Sequence, residues 1–147
     1  MKIAMSARPT ALRYIETSAL LAAILEGDAE AVASLRADGL RVTSALTFAE
    51  ARRTLRRAVV SQRIDAETER QALLVLDTFR ERCDVLDVTD DILKRCGLPF
   101  PVEPVRTLDA IHLASSASLC EVPQFITVVT RDERVAANAR ALGFALE

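Results

Sequence analysis

Four carboxylates in this chain stand where acids usually do chemistry. Glu16 closes the apolar run Leu12–Ile15 in "ALRYIETSALL", at the point where a short buried strand gives way to a helix. Asp132 follows the β-branched stretch "FITVV" in "VVTRDERV", so a second strand delivers an acid to the same kind of position. Glu50 falls in the first turns of the helix expected after the second strand, in "TSALTFAEARRTL". Asp109 falls in the first turn of the helix in "RTLDAIHLASSA". Strand ends and helix beginnings share one rim of a parallel sheet, and ligands of open α/β sheets bind beyond that rim. Clustered carboxylates raise one another's pKa, so a group of four implies a positive charge among them. Mg²⁺ suits such a place, because it takes one or two carboxylates, keeps several waters and binds substrate phosphates. At a phosphodiester, ions of this kind activate water and stabilise the leaving oxygen.

Each acid also has a purely structural reading. Glu16 and Asp132 are placed to cap helices. Asp109 gains about 0.3–1 kcal/mol from a helix macrodipole, and Glu50 can pair with Arg53 for about 0.2–0.5 kcal/mol. Yet Glu50 follows Leu46 and Ala49 on the apolar face of its helix, an unfavourable place for a charge without a task. The four acids also come from all along the chain, so no local ion-pair pattern gathers them. Jointly they favour a shared site.

The neighbours of these acids extend the pattern. Arg52, Arg53, Arg56 and Arg57 form a basic strip on the helix that carries Glu50. The strip is either an electrostatic guide for phosphates or the solvated face of an amphipathic helix. Arg106 and Arg131 adjoin Asp109 and Asp132 and are placed to contact phosphate or to temper an acidic pocket. His112, the sole histidine, lies one turn after Asp109. It is expected to be a structural, hydrogen-bonded residue, since metal-activated water needs no imidazole base. No Ser/His/Asp pattern or Gly-rich phosphate loop is present, and aromatic residues are too few for base-stacking recognition of single strands.

Positioning these residues requires alternating strands and helices. Strands are expected at Leu12–Ile15, Leu40–Thr43, Asp84–Val88, Phe125–Val129 and, at an edge, Phe144–Leu146. Thr17 or Ser18 is expected to cap a helix over Ala19–Leu25 that ends at Gly27, and Asp28 another through about Ala37. Long helices are expected from Leu46 to Gln62, opened by Ser44, and from Asp65 onward, with Ala72, Leu73, Leu76 and Phe79 on one stripe. Thr89 or Asp90 caps a short helix ending at Gly97, Thr107 caps Leu108–Leu119, and Asp132–Leu142 ends at Gly143. The prolines of "GLPFPVEP" exclude helix and inner strand there. The fold class is therefore three-layer α/β/α around a central, mostly parallel sheet of four or five strands. Residues 1–10 are expected to form a flexible tail and residues 11–147 a single domain, a length that buries roughly two-thirds of its unfolded surface.

The 147 residues are half apolar and 27% charged, with a formal net charge of −2, which argues against a general nucleic-acid binder. Nearly all basic residues are Arg, which fits either a GC-rich coding bias or phosphate recognition. Cys83, Cys96 and Cys120 are odd in number and lack ligand spacing, so reduced, mostly buried thiols are expected. No apolar run has signal-peptide character or approaches a membrane span, so a cytoplasmic protein without membrane contact is expected.

The segments "YIETSALLAAIL", "TSALTFAEARRTL", "RTLDAIHLASS" and "VVTRDERVAANARALGF" resemble, in order and spacing, the signatures of PIN-domain ribonucleases. The likeness is closest to the VapC-type toxins of bacterial toxin–antitoxin pairs and covers about Leu12 to Leu146. "LDAIHLA" and the Thr130-x-Asp132 turn are its more specific pieces. The resemblance implies a metal-dependent endoribonuclease, with Glu16, Glu50, Asp109 and Asp132 binding Mg²⁺ or Mn²⁺ and Glu16 and Asp109 as principal ligands. It implies supporting roles for Thr17, Ser18 and Thr130, with RNA, a cognate antitoxin and a second copy of the chain in a homodimer as partners. At the first acid the family usually has Asp, whereas this chain has Glu16. The competing reading is therefore a PIN scaffold that has lost cleavage and survives as an interaction module. A phosphatase-like enzyme fits less well, because Glu16 lacks an Asp two residues later.

Overall fold

The computed structural model describes residues 11–147, so the tail expected at residues 1–10 lies outside them. Among the described residues, five parallel strands form one sheet in the order β3-β2-β1-β4-β5. They are β1 (Leu12–Ile15), β2 (Leu40–Ser44), β3 (Asp84–Leu86), β4 (Ile126–Val129) and β5 (Ala145–Leu146). β1 is central, pairing Leu12 with both Leu40 and Ile126. Parallel strands need crossover connections, and helices supply each one. These are α1 (Thr17–Leu21), α2 (Ala29–Arg36), α3 (Ala45–Val60), α4 (Ala66–Glu81), α5 (Asp90–Cys96), α6 (Thr107–Ala117) and α7 (Glu133–Ala141).

Side-chain alternation along the strands divides the core into two layers. Tyr14, Ile126 and Val128 face α6 and α7, where Leu113, Val135 and Ala139 are buried with them. Ile15 and Val129 face the opposite way and pack with Leu20 of α1, Phe48 and Ala51 of α3 and Leu76 of α4. The sheet is thus covered on both faces, as near-continuous apolar strands require.

Caps explain most boundaries. Asp28, Ser44, Asp65 and Thr89 each accept a backbone N–H in the first turn of the helix they open. Gly27 ends the first helical segment with φ 61°, a left-handed conformation that glycine adopts at no steric cost. Gly39 has φ 135°, and a Cβ there would lie 2.7 Å from the Ala11 carbonyl oxygen, so the turn into β2 demands glycine twice over.

Several boundaries differ from expectation. Helix α1 starts at Thr17 rather than Ala19 and passes into a π-helical turn at Ala22–Glu26. Glu16 holds the cap position without a side-chain cap bond, so neither Thr17 nor Ser18 caps. Arg106, not Thr107, precedes α6. β3 ends at Leu86, and Phe125 belongs to a 3₁₀ turn, Pro123–Phe125, leaving β4 to begin at Ile126. The three cysteines are free but only half-buried rather than buried. Burial, reinforced by the charge of Asp84, still pushes the Cys83 thiol up to about 11, which leaves it protonated and unreactive at neutral pH.

One ion pair ties the sheet across its strands. The buried Arg13 of β1 reaches past β4, donating from Nη1 and Nη2 to the two carboxylate oxygens of Glu147 at 3.0 and 2.5 Å, and from Nη2 to the Ser34 carbonyl at 2.7 Å. The Arg13 hydrogen bonds hold the Glu147 carboxyl below its ordinary value of 4.5. A depressed carboxyl pKa stabilises the fold fully above the unfolded value and loses that contribution as pH falls through the folded one. Glu147→Gln should therefore lower stability at pH 7 by about 1–2 kcal/mol, between the values for exposed and buried pairs. Denaturant melts should show that difference shrinking below pH 4.5.

Candidate active site

The four acids gather beyond the carboxyl ends of β1 and β4, arranged as two linked pairs. Glu16 directly follows β1, its amide donating to the Val129 carbonyl at 3.0 Å, and its side chain is only 5% exposed. Its carboxylate makes no cap bond to the α1 amides and is held by other donors. Ser18 Oγ and Thr130 Oγ1 (the latter at 2.8 Å) both donate to Glu16 Oε2. The same two hydroxyls accept the amides of Arg131 and Asp132, at 2.8 and 3.1 Å. Ser18 and Thr130 therefore lock Glu16 to the turn that presents Asp132. Glu16 Oε1 has no hydrogen bond among the described residues and lies 3.8 Å from His112 Nε2.

Glu50 completes the first pair. Its Oε1 accepts from Thr17 Oγ1 at 2.8 Å and contacts His112 Nε2 at 2.6 Å. Burial pushes the Glu50 carboxyl up, but the hydrogen bonds from His112 and Thr17 outweigh it and hold the group below the ordinary carboxylate value. Glu50 is therefore ionised at neutral pH. The surface pair with Arg53 that a purely structural Glu50 would make is absent among the described residues, because the carboxylate takes the Thr17 and His112 donors instead.

The second pair is bridged by Arg106. Arg106 Nε and Nη2 donate to Asp109 Oδ2 and Oδ1 at 2.8 and 3.3 Å, and Nη2 also reaches Asp132 Oδ2 at 3.3 Å. Asp109 is 7% exposed. Asp132 serves two tasks at once: Oδ1 caps α7 through the amides of Arg134 and Val135, while Oδ2 faces Arg106. The Asp109 hydrogen bond and charge raise the guanidinium pKa further, with Asp132 and Glu50 adding to the effect. Arg106 is thus the resident counter-charge of the cluster.

The donor set fits a hydrated hard cation. Among the described residues no three acids or imidazoles converge at ligating distance, so there is no all-protein cage. Mg²⁺ does not require one, since one or two carboxylates and several waters suffice. Oxygens without protein partners, Glu16 Oε1 and Glu50 Oε2, remain on the first pair, and a guanidinium already occupies a cation's place on the second.

A PIN domain family model matches residues 13–141 of the chain. This chain belongs to the PIN-domain family. Two similar proteins of Mycobacterium tuberculosis are Ribonuclease VapC35, 33% identical over 137 residues (90% of this chain, 93% of the relative), and Ribonuclease VapC46, 36% identical over 135 residues (90% and 94%). Among solved structures, VapC20 of M. tuberculosis, described as a Sarcin-Ricin loop cleaving toxin, superposes with a TM-score of 0.62 at 19% identity, covering 90% of this chain and 96% of that one. VapBC2 of Rickettsia felis, bound to a DNA fragment from its promoter, gives 0.59 at 15% identity, covering 92% and 97%. At such identities these structures speak to the fold alone.

The basic residues of this PIN domain divide sharply. Arg52 and Arg56 turn toward α4 and pair with Asp77 at 2.5 Å and Glu69 at 3.3 Å. Arg53 and Arg57 instead line an open depression of about 340 Å³ together with Glu50, Leu46, Thr54 and Leu108. Neither has an ion-pair partner among the described residues. Arg131 lies near Asp28 at 3.6 Å and Glu30 at 4.0 Å, at the wall of a separate depression of about 580 Å³ that Ser18, Leu21 and Thr54 share. His112 is buried and hydrogen-bonded as expected, yet its partners include Glu50 of the acid cluster and Tyr14 of β1. The one signal for that in the sequence is the spacing of His112, one turn from Asp109 on the same helix.

Proposed function

We propose that this PIN domain is a metal-dependent endoribonuclease that hydrolyses RNA phosphodiester bonds and acts as the toxin of a VapBC-type pair. The observation that carries the reading is the convergence of Glu16, Glu50, Asp109 and Asp132, from four separate segments, on one rim of a domain whose relatives are named ribonucleases. Glu16 and Asp109 would hold Mg²⁺ or Mn²⁺, with Glu50 and Asp132 completing the pocket. Such an ion, when bound, acts as a Lewis acid and lowers the pKa of a bound water. The ionised Glu50 presents Oε2 as a hydrogen-bond acceptor for water entering the pocket. Thr17, Ser18 and Thr130 fix the acids that they bond. Released from the aspartates, Arg106 would meet the scissile phosphate.

Arg53 and Arg57, without ion-pair partners among the described residues and beside Glu50, are the residues that fit two flanking phosphates of the RNA strand; Arg52 and Arg56 are spent on α4. The partners follow from the same reading. A small antitoxin would cover the acidic rim, and the toxin would act as a homodimer.

The test is incubation of the purified, antitoxin-free protein with a mixed RNA pool in Mn²⁺ or Mg²⁺. Cleavage should appear and should vanish with chelator; cleavage that survives the chelator contradicts the reading. In parallel RNA-binding measurements, Arg53→Gln/Arg57→Gln should flatten the log–log salt dependence by about 1.4, at about 0.7 per single-strand phosphate contact. Arg52→Gln/Arg56→Gln should leave the slope unchanged, and an equal loss in both pairs would sink the division of the strip.

A further inference from the structure

We infer that His112 is a positioning residue for Glu50: with Tyr14 and Thr17 it forms a buried relay that fixes the Glu50 carboxylate with Oε1 anchored and Oε2 presented to the pocket. This rests on the endoribonuclease reading, since it assigns a task to one acid of that site.

The geometry leaves little freedom. His112 is 1% exposed and Tyr14 is fully buried, so neither ring can exchange its partners for water. Tyr14 Oη lies 2.8 Å from His112 Nδ1, and Nε2 lies 2.6 Å from Glu50 Oε1 and 3.1 Å from Thr17 Oγ1. An ionised carboxylate only accepts hydrogen bonds, so the Nε2 facing it must carry the proton. In the neutral ring Nδ1 is then an acceptor, and the Tyr14 phenol donates to it. Thr17 Oγ1 donates to the same Oε1 at 2.8 Å, so two donors saturate one oxygen of Glu50. The other oxygen has no protein donor among the described residues. Outer partners of this kind fix the orientation of a metal-binding or catalytic group, and their loss typically costs 10–100-fold in metal affinity or activity. No change in the charge of His112 enters this role.

The assembly spans three elements: Tyr14 sits on β1, Thr17 on α1 and His112 on α6, while Glu50 projects from α3. A packing histidine would need no such convergence on one carboxylate oxygen. The relay also gives the polar centre of the core a purpose that its apolar surroundings do not.

Two variants separate the positioning role from packing. His112→Gln can place an amide N–H near the position of Nε2 and keep the donor to Glu50. His112→Asn reaches only about as far as Nδ1, keeping a contact to Tyr14 and losing Glu50. Calorimetric Mn²⁺ affinity and cleavage rate should both fall about 10–100-fold in His112→Asn and stay within about threefold of the parent in His112→Gln, whatever the two melting temperatures. Equal losses in both variants, or losses that track melting temperature, would show that His112 only packs. Wild-type protein that neither binds Mn²⁺ nor cleaves RNA overturns the endoribonuclease reading and this inference with it. Should a variant fail to fold, the unaltered chain still decides, because untagged protein contains a single histidine. Imidazole ¹⁵N spectra should show one ring with a protonated Nε2 whose resonance moves in Glu50→Gln; an unprotonated Nε2 overturns the inference.

Discussion

Asp109→Asn is expected to reduce RNA cleavage by at least about 10³-fold, because the loss of a charged ligand forfeits several kcal/mol of transition-state stabilisation. The substitution keeps the shape of a side chain that is only 7% exposed, so no cavity forms in α6. What disappears is the negative charge now shared with Arg106 at 2.8 and 3.3 Å. Arg106 is largely exposed and keeps Asp132, so the stability change should stay within about 1 kcal/mol, the range of surface ion pairs. Initial rates on a defined RNA, alongside thermal melts, separate the two effects. A near-normal rate would remove Asp109 from the site, and a collapse of the melt would mean its role is architectural.

Glu16→Asp carries the second large effect, and its sign discriminates between an active site and a silenced one. If Glu16 were a damaged aspartate, shortening it would restore the usual geometry and raise activity. The structure argues for the opposite sign. Ser18 and Thr130 both grip Glu16 Oε2, and both are tied through backbone amides to the turn bearing Asp132. Removing one methylene withdraws the carboxylate by roughly 1.5 Å, about one bond length, and a misplacement of 1 Å can cost about 10²-fold. Glu16→Asp is therefore expected to lose about 10–100-fold in cleavage rate. A loss of about 1–3 kcal/mol in stability is also expected, as two hydroxyls lose a charged acceptor. A gain in cleavage would favour the scaffold with weakened activity.

The sheet was legible in the sequence because its strands are short, apolar and β-branched, with Asp28, Ser44, Asp65 and Thr89 marking helix starts by local chemistry. The misplaced helix caps have side-chain causes. Thr17 and Ser18 carry the hydroxyls of good caps, but carboxylates take those hydroxyls instead: Glu50 of α3, 33 residues away, for Thr17, and Glu16, two residues back, for Ser18. At Thr17 a tertiary hydrogen bond outcompetes a local one, and no local pattern reveals it. Thr107 is likewise displaced as a cap by Arg106, whose guanidinium reaches from the start of α6 to two acids. The expectation that the four acids share one rim rested on two strand ends, for Glu16 and Asp132, and two helix beginnings, for Glu50 and Asp109. The partners of those acids, His112 for Glu50 and the Arg106 bridge from Asp109 to Asp132, depend on contacts 26 to 62 residues apart in the chain. The division of the arginine strip was equally hidden, since it depends on where α4 lies against α3.

Together these carboxylates are proposed to form one divalent-cation site. Anomalous diffraction from crystals grown without antitoxin and soaked in Mn²⁺ tests it most directly. A Mn²⁺ peak is expected between Glu16 and Asp109, with Arg106 displaced from the aspartates and the peak absent in Asp109→Asn. Ordered crystals with no peak at this rim, or a peak unaffected by Asp109→Asn, would contradict it.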